Sequence, residues 1–301
     1  MPQHLRIATR ASRLARWQAE RIGALLGEPV EYVLVTTTGN RDQRADLHAI
    51  GGTGVFVKEV QQAVLDGRAD LAVHSAKDLP STTPDGLVLA AVPERGDPRD
   101  ALVGARLDDI PPGGRVATGS VRRRAQLAAA RPDLMFAPLR GNVETRVRKR
   151  VDEGHDAVVV ALAALERLGL GAEATEVLDP SVLLPQAAQG ALGVECRADD
   201  DRARGRVAAI DDSVAHAAVR AERAFLAELG GGCTLPCGAL ASVDGGEIDL
   251  EALLAAPDGH IVLRTRVVGS DPKAVGSAAA RDLLDGKGGR AVLDVDVEAI
   301  P

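Results

Sequence analysis

Short apolar stretches alternate with helical patterns through the first two thirds of the chain, and this alternation constrains the fold more than any other feature. LRIAT (5–9) reads as a strand, residues 12–26 as a helix with Leu14, Trp17, Ile22 and Leu25 at helical spacing, and VEYVLVT as the next strand. A helix over 55–66, ended by Gly67, and the strand DLAVHS follow. Past the turn-forming PPGG at 111–114 the pattern starts again: strand RVATG, a helix from Ser120, a strand near 134–138, a helix from Val143, and the strand DAVVVA. Strands separated by helices predict α/β units with largely parallel sheets. After about residue 210 one long amphipathic helix (214–229) gives way to alternating β patterns such as EIDLEALLA, which predicts a smaller α+β unit. A chain of 301 residues also exceeds what one core holds, since cores stop growing at roughly 250 residues.

Only Trp17, Tyr32, Phe56, Phe136 and Phe225 carry large rings, so the cores must be built from Ala, Val, Leu and Ile. The same scarcity argues against nucleic-acid binding, which stacks bases on aromatic side chains. The net charge of -7 conceals a basic region between Arg115 and Arg150, where ten Lys or Arg face only Asp133 and Glu144. An acidic protein with one concentrated basic stretch is expected to bind an anion there. The longest apolar run, Ala157 to Leu165, is far short of a membrane span, and the start lacks a signal-peptide pattern, which predicts a cytoplasmic protein away from membranes. Three cysteines do not make a disulfide framework. Cys233 and Cys237 lack a second Cys/His pair to complete a metal site, and no G-x-S-x-G elbow marks a hydrolase.

Two stretches repeat one arrangement: IATRASR (7–13) and VATGSVR (116–122) both place Thr, Ser and Arg where a strand turns into a helix. Ser12 and Ser120 are there either simple N-caps or parts of anion cradles built on helix N-termini. VHSAKD sets Lys77 and Asp78 just past a strand's C-terminal end, where open α/β sheets bind ligands. Asp78 is either a proton-transfer group or a turn cap paired with Lys77. His74 and Cys196 read as structural. LGGGCTLPCG (229–238) presents Cys233 in a glycine-rich loop, where a thiol is reachable.

RIATRAS, GTGVFVKE, DLAVHSAKDLP, PERGDPRDA, GSVRRRAQL, RPDL, LRGNVETR, LPQAAQGALGVECR and ERAFLAELGGGCTLPCG, in this order, resemble the hydroxymethylbilane synthase (porphobilinogen deaminase) family. The resemblance implies three domains: 1–94 with 186–208, 95–185, and 209–301. The first two are arranged like the lobes of a periplasmic binding protein, and the third is a small α+β domain carrying the cysteine loop. It implies a monomer that condenses four porphobilinogen molecules, expels four ammonia and releases a linear tetrapyrrole. A dipyrromethane cofactor is held as a thioether on Cys233, and Asp78 is the catalytic carboxylate. Arg10, Ser12, Lys77, Asp78, Ser120, Arg122, Arg123, Arg140, Asn142, Arg146 and Gln189 are implied cofactor ligands. Arg10, Ser12, Arg140, Arg146 and Arg167 are implied for substrate, with Phe56 either against a pyrrole ring or in the core. The chain departs from the family's pattern at Thr38, Asn40 and Thr53, and at Cys237, where an aliphatic residue is common. A two-lobed solute-binding module without chemistry and a nucleic-acid binder using residues 115–150 are the competing readings.

Overall fold

A computed structural model describes residues 4–35, 57–231 and 235–293. The chain opens with β1 (Leu5–Arg10), α1 (Arg13–Leu26), β2 (Val30–Val35), α2 (Lys58–Leu65), β3 (Leu71–Ser75) and β4 (Leu87–Ala91). It crosses into β5 (Asp100–Gly104), β6 (Arg115–Ala117), α3 (Val121–Ala130), β7 (Met135–Ala137), α4 (Val143–Asp152), β8 (Ala157–Ala161), α5 (Leu162–Arg167) and β9 (Glu176–Val177). It then returns through β10 (Leu192–Arg197) and α6 (Asp201–Val207).

These strands form two five-stranded sheets of the same design, ordered β2-β1-β3-β10-β4 and β7-β6-β8-β5-β9. β1 runs parallel to β2 and β3, and β6 runs parallel to β7 and β8. The expectation of largely parallel sheets is corrected at one strand in each, because β10 and β5 run antiparallel to both of their neighbours. Each follows a crossing between lobes and starts beside its neighbour's C-terminal end, with Leu192 opposite Ser75 and Asp100 opposite Ala161. A strand that enters from that end must run against the others.

Apolar clusters cover both faces of each sheet, which is why β8, AVVVA, is buried along its whole length. α1 starts at the Ser12 cap and stops at Gly27, whose φ of 66° is left-handed. Its buried stripe is Ala15, Gln18, Ala19, Ile22 and Gly23, while Leu14, Trp17 and Leu25 are only half-buried. Of the four apolar residues that marked the helix, Ile22 lies in the core and Leu25 packs against its edge, while Leu14 and Trp17 lie beside the buried stripe.

The last unit packs α7 (Ser213–Glu228) and α8 (Pro272–Arg281) on the antiparallel sheet β11 (Cys237–Asp244), β12 (Glu247–Ala255) and β13 (Val262–Gly269), with a short α9 (Gly289–Leu293) behind. Phe225 is fully buried at its centre. Gly276 lets the two long helices touch, since a Cβ there would sit 2.3 Å from the carbonyl oxygen of Ala221. No described helix is long and apolar enough to cross a membrane.

Candidate active site

Parallel pairing brings the ends of β1 and β3 to the same edge of the first sheet, so Arg10 and the single 3-10 turn Ala76–Asp78 lie side by side. Arg10 Nη2 stands 4.0 Å from Asp78 Oδ2, and the Asp78 side chain is 36% exposed. The second lobe contributes helix N-termini. Ser120 Oγ accepts from the Arg123 amide at 3.4 Å, and Asn142 Oδ1 accepts from the Thr145 amide at 2.8 Å. Ser12 caps α1 in the same way, through the Ala15 amide. The serines and Asn142 are thus caps in this geometry, at helix ends whose dipoles favour anions.

Arg122 and Arg123 point inward from α3 and are almost wholly buried. Both grip Asp100, itself fully buried: Arg122 Nη2 and Arg123 Nη2 each lie 2.7 Å from one of its two carboxylate oxygens. Their Nη1 atoms donate to the carbonyls of Leu184 and Val159. Burial alone would raise the Asp100 pKa, but the two arginines outweigh it and hold the carboxyl well below its usual range.

Gln189, fully buried in the returning crossing, joins this cluster to the first lobe. Its Nε2 donates to Asp100 Oδ1 (2.8 Å) and to the Pro98 carbonyl (2.7 Å), and its Oε1 accepts from Lys77 Nζ at 3.0 Å. Burial pushes Lys77 down to about 8, and Arg123 adds to the fall, against the opposing pull of Asp78 and Asp100. Arg146 of α4 donates from Nε to the Gly141 carbonyl at 2.8 Å. Burial takes it down to about 10, Arg123 acts in the same direction, and Asp78 opposes. Charges from both lobes therefore act on one shared space.

Arg167, at the end of α5, also falls to about 10 through burial, and Arg140 lies exposed at the end of the loop before α4. Cys233 and Phe56, and the departures at Thr38, Asn40 and Thr53, lie outside the described residues. Cys237 and Cys196 are buried, and burial pushes the Cys196 thiol up to about 11. His74 is buried with its Nε2 3.3 Å from Glu195.

Two groups escaped the reading of the chain. Asp100 stands in PERGDPRDA, where the apolar ALV that follows it was the only sign of burial. Glu222, fully buried on α7, holds Arg95 of the first crossing bidentately (2.7 and 3.0 Å), the Ala188 amide of the second, and the Ala241 amide of β11 at 2.8 Å. Ala188 has a φ of 61°, a conformation costly for a residue with a Cβ, and the Glu222 bond helps to hold it.

Residues 5–205 match the family model of the porphobilinogen deaminase dipyrromethane cofactor binding domain, and residues 216–285 match that of the porphobilinogen deaminase C-terminal domain. The chain is 49% identical over 302 residues to a porphobilinogen deaminase of Roseiflexus castenholzii, covering 97% of this chain and 99% of that one. It is 47% identical over 293 residues to one of Acidithiobacillus ferrooxidans, covering 94% and 95%. With two family models covering most of both lobes and the third unit, and relatives matched over nearly their whole length, the chain belongs to the porphobilinogen deaminase family.

Proposed function

We propose that this chain condenses four porphobilinogen molecules head to tail in the cleft around Asp78, releasing four ammonia, and then frees the linear tetrapyrrole hydroxymethylbilane by hydrolysis. One observation carries the reading: an excess of positive charge drawn out of water around the cleft. Arg122 and Arg123, both buried, share one buried carboxylate, Asp100; Lys77 reaches it only through Gln189; and the half-buried Arg146 and Arg167 have no carboxylate within 4 Å among the described residues. Cations partly withdrawn from water and short of counter-charge are costly, so the cleft suits a molecule rich in carboxylates. Porphobilinogen brings an acetate and a propionate with every ring.

A dipyrromethane fits this donor set, because its acid side chains match the excess cations and the Nε groups of Arg122 and Arg123 are buried without a partner among the described residues. Cys233 would hold it as a thioether, with Arg10, Lys77, Arg140 and Arg146 around its carboxylates. Ser12, Ser120 and Asn142 mark the helix ends beside it. When bound, it supplies the nucleophilic pyrrole carbon from which the product grows. Asp78 accepts the N–H of the reacting substrate ring, balances the positive charge that builds there as ammonia leaves, and takes up the proton lost when the new ring regains aromaticity. Arg122 and Arg123 serve the site mainly through Asp100, keeping positive potential beneath the cleft. Gln189 sets the distance between Lys77 and that pair.

The three sheet-based units are the moving parts in this reading, with domains at 1–94 plus 186–208, 95–185 and 209–301. In this reading the chain works as a monomer. A reducing cytoplasm would keep the Cys233 thiol free for attachment.

The mass of the denatured protein tests the proposal directly. Two linked pyrrole units are expected on Cys233, and Cys233→Ala should lose both adduct and turnover. An unmodified Cys233, or an adduct on the buried Cys237, would overturn the assignment. Asp78→Asn should keep the adduct and lose turnover by about 10²- to 10⁴-fold, the usual scale for a positioned proton-transfer group.

A further inference from the structure

Trp17 is the chain's single tryptophan, yet it stays out of the core of its own lobe. It lies one turn beyond Arg13 on α1, and both side chains reach across to the second lobe. Arg13 Nη2 donates to the Leu168 carbonyl at 3.2 Å, and its Nη1 stands 3.5 Å from Glu144. The Trp17 ring lies under the Arg167 guanidinium, 5.6 Å from its centre. Arg167 Nη2 also donates to the Gly190 carbonyl, which accepts the Gly96 amide as well, so this arginine sits on both crossings between lobes. A carbonyl and an indole face are modest partners for so desolvated a cation. They orient the fork without neutralising it, and a carboxylate arriving there gains a charge-assisted pair.

We infer that Trp17 is a positioning residue: from the first lobe it holds Arg167 of the second in the orientation that receives a carboxylate of incoming porphobilinogen. This rests on the function proposed above.

Steady-state kinetics and indole fluorescence test it together. Trp17→Leu should raise KM for porphobilinogen roughly two- to thirtyfold, the span of a cation–π contact, with kcat changed less. Trp17→Phe, which keeps a ring face, should recover most of the affinity. In an Arg167→Gln background, Trp17→Leu should add nothing further, whereas a merely structural role would lower both proteins alike. The indole emission of the parent should differ from that of Arg167→Gln without substrate, and should shift on porphobilinogen addition in the parent alone. A parental KM for Trp17→Leu, additive effects in the double variant, or identical emission in parent and Arg167→Gln would each overturn the inference. If the parent forms no product, the proposed function fails instead, and the emission arm still reads the contact.

Discussion

The two strand-to-helix turns that look alike in sequence, IATRASR and VATGSVR, put their arginines to opposite uses. In the first, Arg10 precedes the Ser12 cap, at the strand's end, and its half-buried guanidinium faces Asp78 in the cleft. In the second, Arg122 and Arg123 follow the Ser120 cap, inside the first turn of α3, and turn inward onto Asp100. The cap is common to both. What differs is the surface each arginine falls on: Arg10 stands at a strand end that opens to the cleft, Arg122 and Arg123 lie on the face of α3 that packs inward, and Arg13, which follows the Ser12 cap, lies on the exposed side of α1. Each turn thus pairs arginine with aspartate, once at a partly exposed position and once at a fully buried one.

The sharpest way to break this comparison is to remove the two aspartates in turn. Asp100→Ala leaves Arg122 and Arg123 buried without their counter-charge and should cost about 3–5 kcal/mol, read by urea unfolding. Asp78→Ala, at a partly exposed position, should change stability by less than about 1 kcal/mol while abolishing turnover. Equal stability losses would mean that the two sites are not divided as described.

Lys77 gives a smaller, pH-dependent effect. Burial lowers its pKa from the ordinary 10.5 to about 8, so between these values the unfolded chain binds more protons than the folded one. Stability must then rise with pH across that window, and below about 8 the folded state bears the full cost of the charge. In Cys233→Ala protein, urea unfolding at pH 7.5 and 9.5 should show this rise, and Lys77→Met should remove it. Carboxylates bound beside Lys77 should draw its pKa back up and flatten the dependence in the cofactor-bearing protein. A rise that persists in the Lys77→Met variant would assign it to another group.

The smallest effects belong to the shared element. Ser12→Ala and Ser120→Ala each lose one cap bond, of 3.4 Å in both turns, and each should cost about 1 kcal/mol in thermal or urea unfolding. A cost several times larger at one serine would show that it does more than cap.

Much of this was legible in the chain because it is local. Helix periodicity, the Ser12 and Ser120 caps and the strands from LRIAT to DAVVVA rest on interactions within a few residues of one another. Lys77 and Asp78 past a strand end were legible for the same reason. The core face of α1 was legible only in part: Ile22 is buried, but Ala15 and Ala19 are no more apolar in sequence than Leu14 and Trp17 beside them until the sheet beneath selects one face. Nor was the antiparallel run of β5 and β10, which depends on the end at which a crossing segment enters the sheet.

By itself the sequence determined which residue types gather at helix starts and strand ends, and so which chemistry was possible. Tertiary structure alone decided their partners. Asp100 meets Arg122 across 22 positions, Gln189 meets Lys77 across 112, and Glu222 meets Arg95 across 127. No local propensity links residues so far apart. Two chain crossings bring them together, and burial then makes leaving Asp100 or Glu222 without its arginine so costly that the paired arrangement is the one that persists.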